Sequence, residues 1–137
     1  MTEPGDVVLV DMRGAGEVDA KLRPALVLSR LPGSQQTLLV CGISTRIRDA
    51  VPDWDEIIEP TDPRFALMGL KRRSAIRLSF LAALVEPDVL GRIGALPTVD
   101  LHTLTTRLAK ALSARVAGRG GRARGNQARG RQPRRDA

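Results

Sequence analysis

Aromatic residues are almost absent from this chain. They make up 2% of its 137 residues, whereas hydrophobic residues make up 42%. A globular core is therefore expected, but it has to be built from Val, Leu, Ile and Ala rather than from rings. The length predicts one domain with a core of modest size.

Cysteine and histidine are equally scarce, with Cys41 and His102 as the single examples of each. A single cysteine excludes an internal disulfide. One cysteine and one histidine are also too few ligands for a Cys/His metal site. We therefore predict no metal and no cofactor, and we expect Cys41 to pack in the core as a small hydrophobic residue.

Long apolar runs are also missing. No stretch approaches the roughly 20 residues that cross a bilayer, and the N-terminus lacks the basic and apolar pattern of a signal peptide. We expect a cytoplasmic protein without a membrane partner.

Positive charge is concentrated at one end of the chain. The net charge is +7, yet residues 1–114 hold 14 Lys or Arg and 14 Asp or Glu, so the excess comes from residues 115–137. From Gly118 onward almost nothing is apolar, which is typical of disorder. We predict a folded domain over residues 1–114 and a disordered Arg/Gly-rich tail over 115–137. Such a tail favours nucleic acid through counterion release.

Short apolar runs bounded by turn residues predict five strands and two helices. The strands are expected at Val7–Val10, Ala25–Ser29, Thr37–Ile43, Asp53–Glu59 and Ser74–Leu81, with the second and third forming a hairpin. A short helix is predicted from Pro87 to Ala95, and Thr98 is expected to cap a longer one. This order predicts a small, strongly bent antiparallel sheet followed by a C-terminal helix.

Arg23-Pro24 heads the second of these strands. An arginine keeps its charge at any relevant pH and offers a planar fork of donors to a phosphate. Pro24 stiffens the backbone beside it. The alternative is an ordinary loop arginine paired with Glu17 or Asp19.

Three segments together resemble one known family. They are Gly5-Asp6-Val7-Val8-Leu9-Val10-Asp11, Lys21-Leu22-Arg23-Pro24-Ala25-Leu26-Val27-Leu28-Ser29 and Cys41-Gly42-Ile43-Ser44-Thr45. Over residues 4–114 the chain is similar to the MazF/PemK toxins of bacterial type II toxin–antitoxin pairs. The resemblance implies a small SH3-like antiparallel β-barrel and a metal-independent endoribonuclease that cuts single-stranded mRNA. It also implies a homodimer, a cognate antitoxin with an acidic, apolar segment, and operator DNA bound through the toxin–antitoxin complex.

The resemblance also assigns catalytic residues. It places Arg23 in the RNA cleft, where the family's arginine takes part in cleavage, and it maps a catalytic hydroxyl onto Ser44, with Thr45 as its neighbour. Only one of the two faces the cleft if the strand alternates, and we favour Ser44. The alternative is a hydroxyl that bonds local backbone.

Further positions follow by the same resemblance. Arg77 matches an arginine that some members use as an acid or phosphate clamp, although Ser79 stands where those members have Asp. Glu17 matches a glutamate that shapes the cleft, with a spacing that differs by one residue. Basic side chains nearby are predicted to bind RNA. They are Arg46, Lys71, Arg72 and Arg73.

Two other functions remain as alternatives. A non-catalytic nucleic-acid-binding barrel would fit Ser79 in place of the expected Asp. A gyrase-directed toxin, as in the CcdB family, relies on a tryptophan at the end of its C-terminal helix, and residues 101–137 contain no Trp.

Overall fold

The computed structural model describes the backbone of residues 1–11 and 21–126 and the side chains of residues 1–11 and 21–114. Six strands form one antiparallel sheet in the order β4-β5-β3-β2-β1-β6. The elements are β1 (Asp6–Asp11), β2 (Leu22–Arg30), β3 (Thr37–Ser44), β4 (Glu56–Ile58), α1 (Pro63–Leu67), β5 (Ser74–Val85), β6 (Val89–Ala95) and α2 (Thr98–Asn126). The predicted fold class, mainly β with a C-terminal helix, is confirmed, and the barrel-like sheet is open between β4 and β6.

Both faces of the central strands are buried, because their apolar runs are continuous rather than alternating. One face carries a core cluster. Its members are Val8, Val10, Ala25, Val27, Leu38 and Val40. On the other face, Leu26 pairs with Cys41, and both side chains are fully buried. The prediction that Cys41 packs in the core is confirmed, and burial raises the pKa of its thiol to about 12.

The short helix predicted from Pro87 to Ala95 is wrong. Glu86–Asp88 forms a single 3-10 turn, in which an oxygen of the Asp88 carboxylate accepts a hydrogen bond of 2.9 Å from the Val85 amide, and β6 follows directly. Gly91 and Gly94 disfavour a helix in this segment. As a strand, the segment pairs with the outer side of β1 and satisfies backbone groups that would otherwise form an open edge.

Helix α2 runs from Thr98 to Asn126, and the Pro97 carbonyl accepts its first backbone bonds, so Thr98 is the first helical residue rather than the predicted cap. Among the described residues, those up to Leu104 form one compact unit that contains the whole sheet, and those from Thr105 to Asn126 belong to a second. The helix therefore runs past Gly118, where the fall in apolar content had suggested disorder. Residues 127–137 lie outside the described part of the chain, and the boundary after residue 114 remains a prediction.

Gly69 allows the segment after α1 to lie directly against β6. Its φ is +71°, and a Cβ at this position would stand 2.1 Å from the carbonyl oxygen of Ile93. A side chain is thus opposed both by backbone conformation and by a backbone atom that cannot rotate away. By contrast, a Cβ at Gly91 in β6 would meet no atom within 4 Å.

Gly69→Ala is therefore expected to lower the free energy of unfolding by about 1–3 kcal/mol, through left-handed strain and overpacking. Urea denaturation followed by tryptophan fluorescence measures the loss. Gly91→Ala is the matched control and should change stability by less than about 0.5 kcal/mol. Equal losses in the two variants would contradict the close approach of Gly69 to β6.

Candidate functional site

Arg23 and Ser44 lie on the same face of neighbouring strands, close to where both strands end. Ala25 of β2 pairs with Gly42 of β3, and paired residues point to one face of a sheet. Arg23 and Ser44 are each two residues farther along, so alternation returns both to that face. The predicted pair is therefore brought together by the register of β2 and β3.

The Arg23 side chain is exposed and has no ion pair with any side chain within residues 1–11 and 21–114. Glu17 and Asp19, the partners of the alternative interpretation, lie outside the described residues, as does the predicted cleft role of Glu17. Arg23 pairs through its backbone with Val10 of β1, which is fully buried. A charged fork is thus held at the end of a rigid strand.

The Ser44 hydroxyl has a local partner. Its oxygen accepts a hydrogen bond of 3.0 Å from the backbone amide of Arg46. A hydroxyl carries one donor and two acceptor positions, so this bond fixes the oxygen and leaves the O–H free to donate elsewhere. The local bond of the alternative interpretation is therefore present, and it is compatible with a second contact by the Ser44 hydroxyl.

Thr45 lies on the opposite side of the sheet. It lines a cavity of about 380 Å³ together with Pro24 and Leu9, which pair with each other across β1 and β2. Lys71 and Arg72 also line this cavity, over a floor that is otherwise mostly apolar. Adjacent residues at the strand ends therefore divide between two surfaces, with Arg23 and Ser44 on one and Pro24 and Thr45 on the other.

Arg77 is bound to a carboxylate that the sequence analysis missed. Its Nε donates a hydrogen bond of 2.9 Å to Asp55, whose side chain is fully buried. Asp55 also accepts bonds from the amide and hydroxyl of Ser79, at 3.2 and 3.1 Å, and from the amide of Val51 at 2.9 Å. Four donors thus converge on one buried carboxylate, which is the arrangement that a buried charge requires.

Asp55 reaches this place from the loop before β4, in which Asp53 adopts a φ of +62°. Ser79, which stands where an Asp was expected, is bonded to it directly. The only sign of this contact in the sequence was Ser79 in place of the Asp that the resemblance expects. With that Asp missing near Arg77, a carboxylate from another part of the chain has to pair with the arginine. Arg77 itself pairs with Gly42 and so shares the face of Arg23 and Ser44.

The remaining basic residues differ in their partners. Arg46 pairs with Asp49 at 3.1 Å, and Nε of Arg73 bonds both carboxylate oxygens of Glu59 at 2.8 and 2.9 Å. Lys71 and Arg72 are exposed and have no ion pair with a side chain that the structure describes. Their charges are therefore less neutralised than those of Arg46 and Arg73.

The segment that carries Lys71 and Arg72 is anchored by Arg64 of α1. This guanidinium pairs with Asp62 at 2.7 Å, Asp100 at 3.3 Å and Glu56 at 3.4 Å. Hydrogen bonding to Arg64 lowers the pKa of Asp62 to about 2. One cation thereby ties the start of α1 to β4 and to the first turn of α2.

Comparison with protein families completes the assignment. Residues 3–112 match the model of the PemK-like, MazF-like toxins of type II toxin–antitoxin systems. The chain belongs to this family. The match covers every strand of the sheet and all the predicted site residues. A comparison with individual characterised sequences found no match.

Membership of the PemK-like toxin family implies a protein partner, because a type II toxin is bound by a cognate antitoxin. No group of three or more His, Cys, Asp or Glu side chains suited to a metal ion occurs among the residues that the structure describes. Of the helices described for this PemK-like chain, none is long and apolar enough to cross a membrane.

Proposed function

We propose that this PemK-like toxin is a metal-independent endoribonuclease that cuts single-stranded RNA. The observation that carries the proposal is that Arg23, an exposed cation with no acidic partner within residues 1–11 and 21–114, shares one face of adjacent strand ends with the Ser44 hydroxyl. A phosphodiester is the group that this pair suits, because it needs a cation for its charge and a donor for its oxygens.

The reaction begins with the substrate's own 2′-hydroxyl. Its oxygen attacks the adjacent phosphorus, the bond to the 5′-oxygen of the next nucleotide breaks, and the products are a 2′,3′-cyclic phosphate and a 5′-hydroxyl. The 2′-hydroxyl gives its proton to water, and the leaving 5′-oxygen takes one from water or from Arg77. The enzyme has to align this attack and stabilise charge on the non-bridging oxygens.

Arg23 performs the charge stabilisation in this proposal, through the fork of its guanidinium, and Ser44 donates a hydrogen bond to the same phosphate. Arg77 lies on the same face, with its orientation fixed by Asp55, and binds a second phosphoryl oxygen or protonates the leaving group. Metal is not required because the arginines fill the role of the cation. Single strands are preferred, since in-line attack needs a freely rotating linkage that A-form pairing opposes.

The other surface at the strand ends provides a track for the rest of the substrate. Lys71 and Arg72 face the cavity with Thr45 and have no acidic partner among the described side chains, so we assign them phosphate contacts ahead of Arg46 and Arg73. An antitoxin segment of acidic and apolar residues would compete for the same cations and the same apolar floor. We further propose a homodimer in the cytoplasm, with operator DNA bound through the toxin–antitoxin complex.

The test uses one RNA sequence in three forms, incubated with the protein in EDTA: single-stranded, annealed to its complement, and single-stranded with 2′-deoxy sugars. We expect cleavage of the first form only, with a 2′,3′-cyclic phosphate end. Cleavage of the deoxy form, or cleavage that needs added metal, would contradict the mechanism. Binding of all single-stranded forms without any cleavage would favour the non-catalytic barrel, for which Ser79 in place of Asp remains the supporting observation.

A further inference from the structure

Phe80 lies on the same face as the proposed catalytic pair. Between the pairs Gly42–Arg77 and Cys41–Leu81, β5 contains three extra residues that have no partner in β3, and Phe80 is the last of them. This bulge turns the ring over Gly42. A Cβ on Gly42 would lie 3.3 Å from Cδ2 and 3.6 Å from Cγ of the ring.

The position of the ring relative to Arg23 follows from the register. Gly42 pairs with Ala25 on one side and with Arg77 on the other. Arg23 lies two residues beyond Ala25, a rise of about 7 Å along the strand. The ring over Gly42 therefore lies one strand across from Arg23 and about 7 Å along the strands from its backbone.

Exposure distinguishes Phe80 from the other aromatic residues. The chain has three, and Trp54 and Phe65 are partly buried, whereas 51% of Phe80 is exposed. A single exposed ring is ordinary on a protein surface. Here the ring lies over Gly42, which pairs with Arg77, and Arg23 is two residues from Ala25, the other partner of Gly42. Proteins that bind single strands combine such cations with an aromatic surface on which the bases stack.

We propose that Phe80 is a stacking platform for one unpaired base of the substrate, next to the phosphate that Arg23 holds. The inference deepens the proposed function and rests on it, because it assumes that single-stranded RNA crosses this face. Stacking has no hydrogen-bond code, so the platform tolerates any base and sets the position of the strand rather than the sequence that is cut. Gly42 contributes by having no side chain where the ring lies.

The first experiment measures binding of a short 2′-O-methyl RNA of mixed sequence, which lacks the nucleophile and is not cut. Phe80→Leu keeps an apolar side chain but removes the aromatic face, and it should weaken binding by about 5- to 150-fold. Phe80→Trp should retain the affinity. Leu90→Ala is the control, because Leu90 is similarly exposed, at 58%, but lies on edge strand β6.

The second experiment removes bases one at a time with abasic nucleotides. If Phe80 stacks on one base, a single abasic position should weaken binding to the wild type and have no further effect on Phe80→Leu. A loss that is the same at every abasic position, or unchanged affinity in Phe80→Leu, would overturn the proposal. A change in sedimentation mass with unchanged RNA affinity would also overturn it, and would identify the ring as a contact between copies of the chain.

Failure of this inference is distinguishable from failure of the proposed function. If the wild type cuts RNA and Phe80→Leu binds and cuts it equally well, the stacking proposal is wrong and the nuclease proposal stands. If the wild type binds the 2′-O-methyl RNA through Phe80 but does not cut RNA, the nuclease proposal is wrong and the stacking proposal stands. If the wild type does not bind RNA, both proposals are wrong.

Discussion

Arg23→Ala is expected to slow RNA cleavage by about 10²- to 10³-fold, the usual effect of losing one donor that stabilises transition-state charge. The guanidinium is held at a strand end, and no described acid neutralises it. Its contact strengthens as negative charge develops on the phosphate, so the loss should fall mainly on kcat rather than on KM. Single-turnover cleavage of a labelled RNA in EDTA measures it.

Two controls define this result. Arg73→Ala removes an equal charge, but Arg73 is half exposed and already bonded to Glu59, so its cleavage rate should stay within a few-fold of the wild type. Arg23→Lys keeps the charge and loses the planar fork, so it should recover only part of the rate. Full activity in Arg23→Ala would remove the chemical basis of the proposed nuclease, whatever the family of the chain.

Asp55→Ala is expected to lower the free energy of unfolding by about 3–5 kcal/mol, as for other buried pairs that lose one partner. The substitution leaves the Arg77 guanidinium, 18% exposed, without its acid, and it orphans the Val51 and Ser79 amides. Urea unfolding followed by the fluorescence of Trp54, the neighbouring residue and the only tryptophan, reports the loss.

Glu59→Ala is the matched control for Asp55→Ala. It breaks a carboxylate–guanidinium pair with Arg73 that is about half exposed, and it should cost at most about 1 kcal/mol. The loss of stability in Asp55→Asn should fall between those of the other two variants. The amide keeps the volume of the side chain, but its NH₂ group faces one of the groups that donate a hydrogen bond to Asp55. Equal stability of Asp55→Ala and Glu59→Ala would show that the Asp55 network does not hold the loop.

The strands that were predicted correctly are those in which the residues of the strand itself show the pattern of a strand. Val7–Val10 and Thr37–Ile43 are continuous apolar runs with turn residues at their ends, and each became a strand with only small changes of boundary. β6 was missed because its assignment depends on a partner. Its glycines and the preceding Pro87 carry no strand pattern, and only the unpaired edge of β1 selects the extended form.

The same distinction applies to the site. The Arg23–Ser44 pair was implied by the family resemblance, with strand alternation favouring Ser44 over Thr45, and the register places both residues on one face. Asp55 and Phe80 could not be assigned from the sequence. One depends on a loop that turns at Asp53, and the other on a three-residue bulge in β5. Neither a loop path nor the side to which a bulge turns is encoded in hydrophobic periodicity.

The burial of Cys41 in β3 has a practical consequence for studying this protein. Its pKa of about 12 keeps the thiol protonated and hence unreactive at neutral pH, and the sheet shields it from reagents. A cysteine introduced on the surface would then be the sole target of a maleimide dye in the folded molecule. The natural thiol, modified only after denaturant opens the sheet, would serve as a built-in reporter of unfolding.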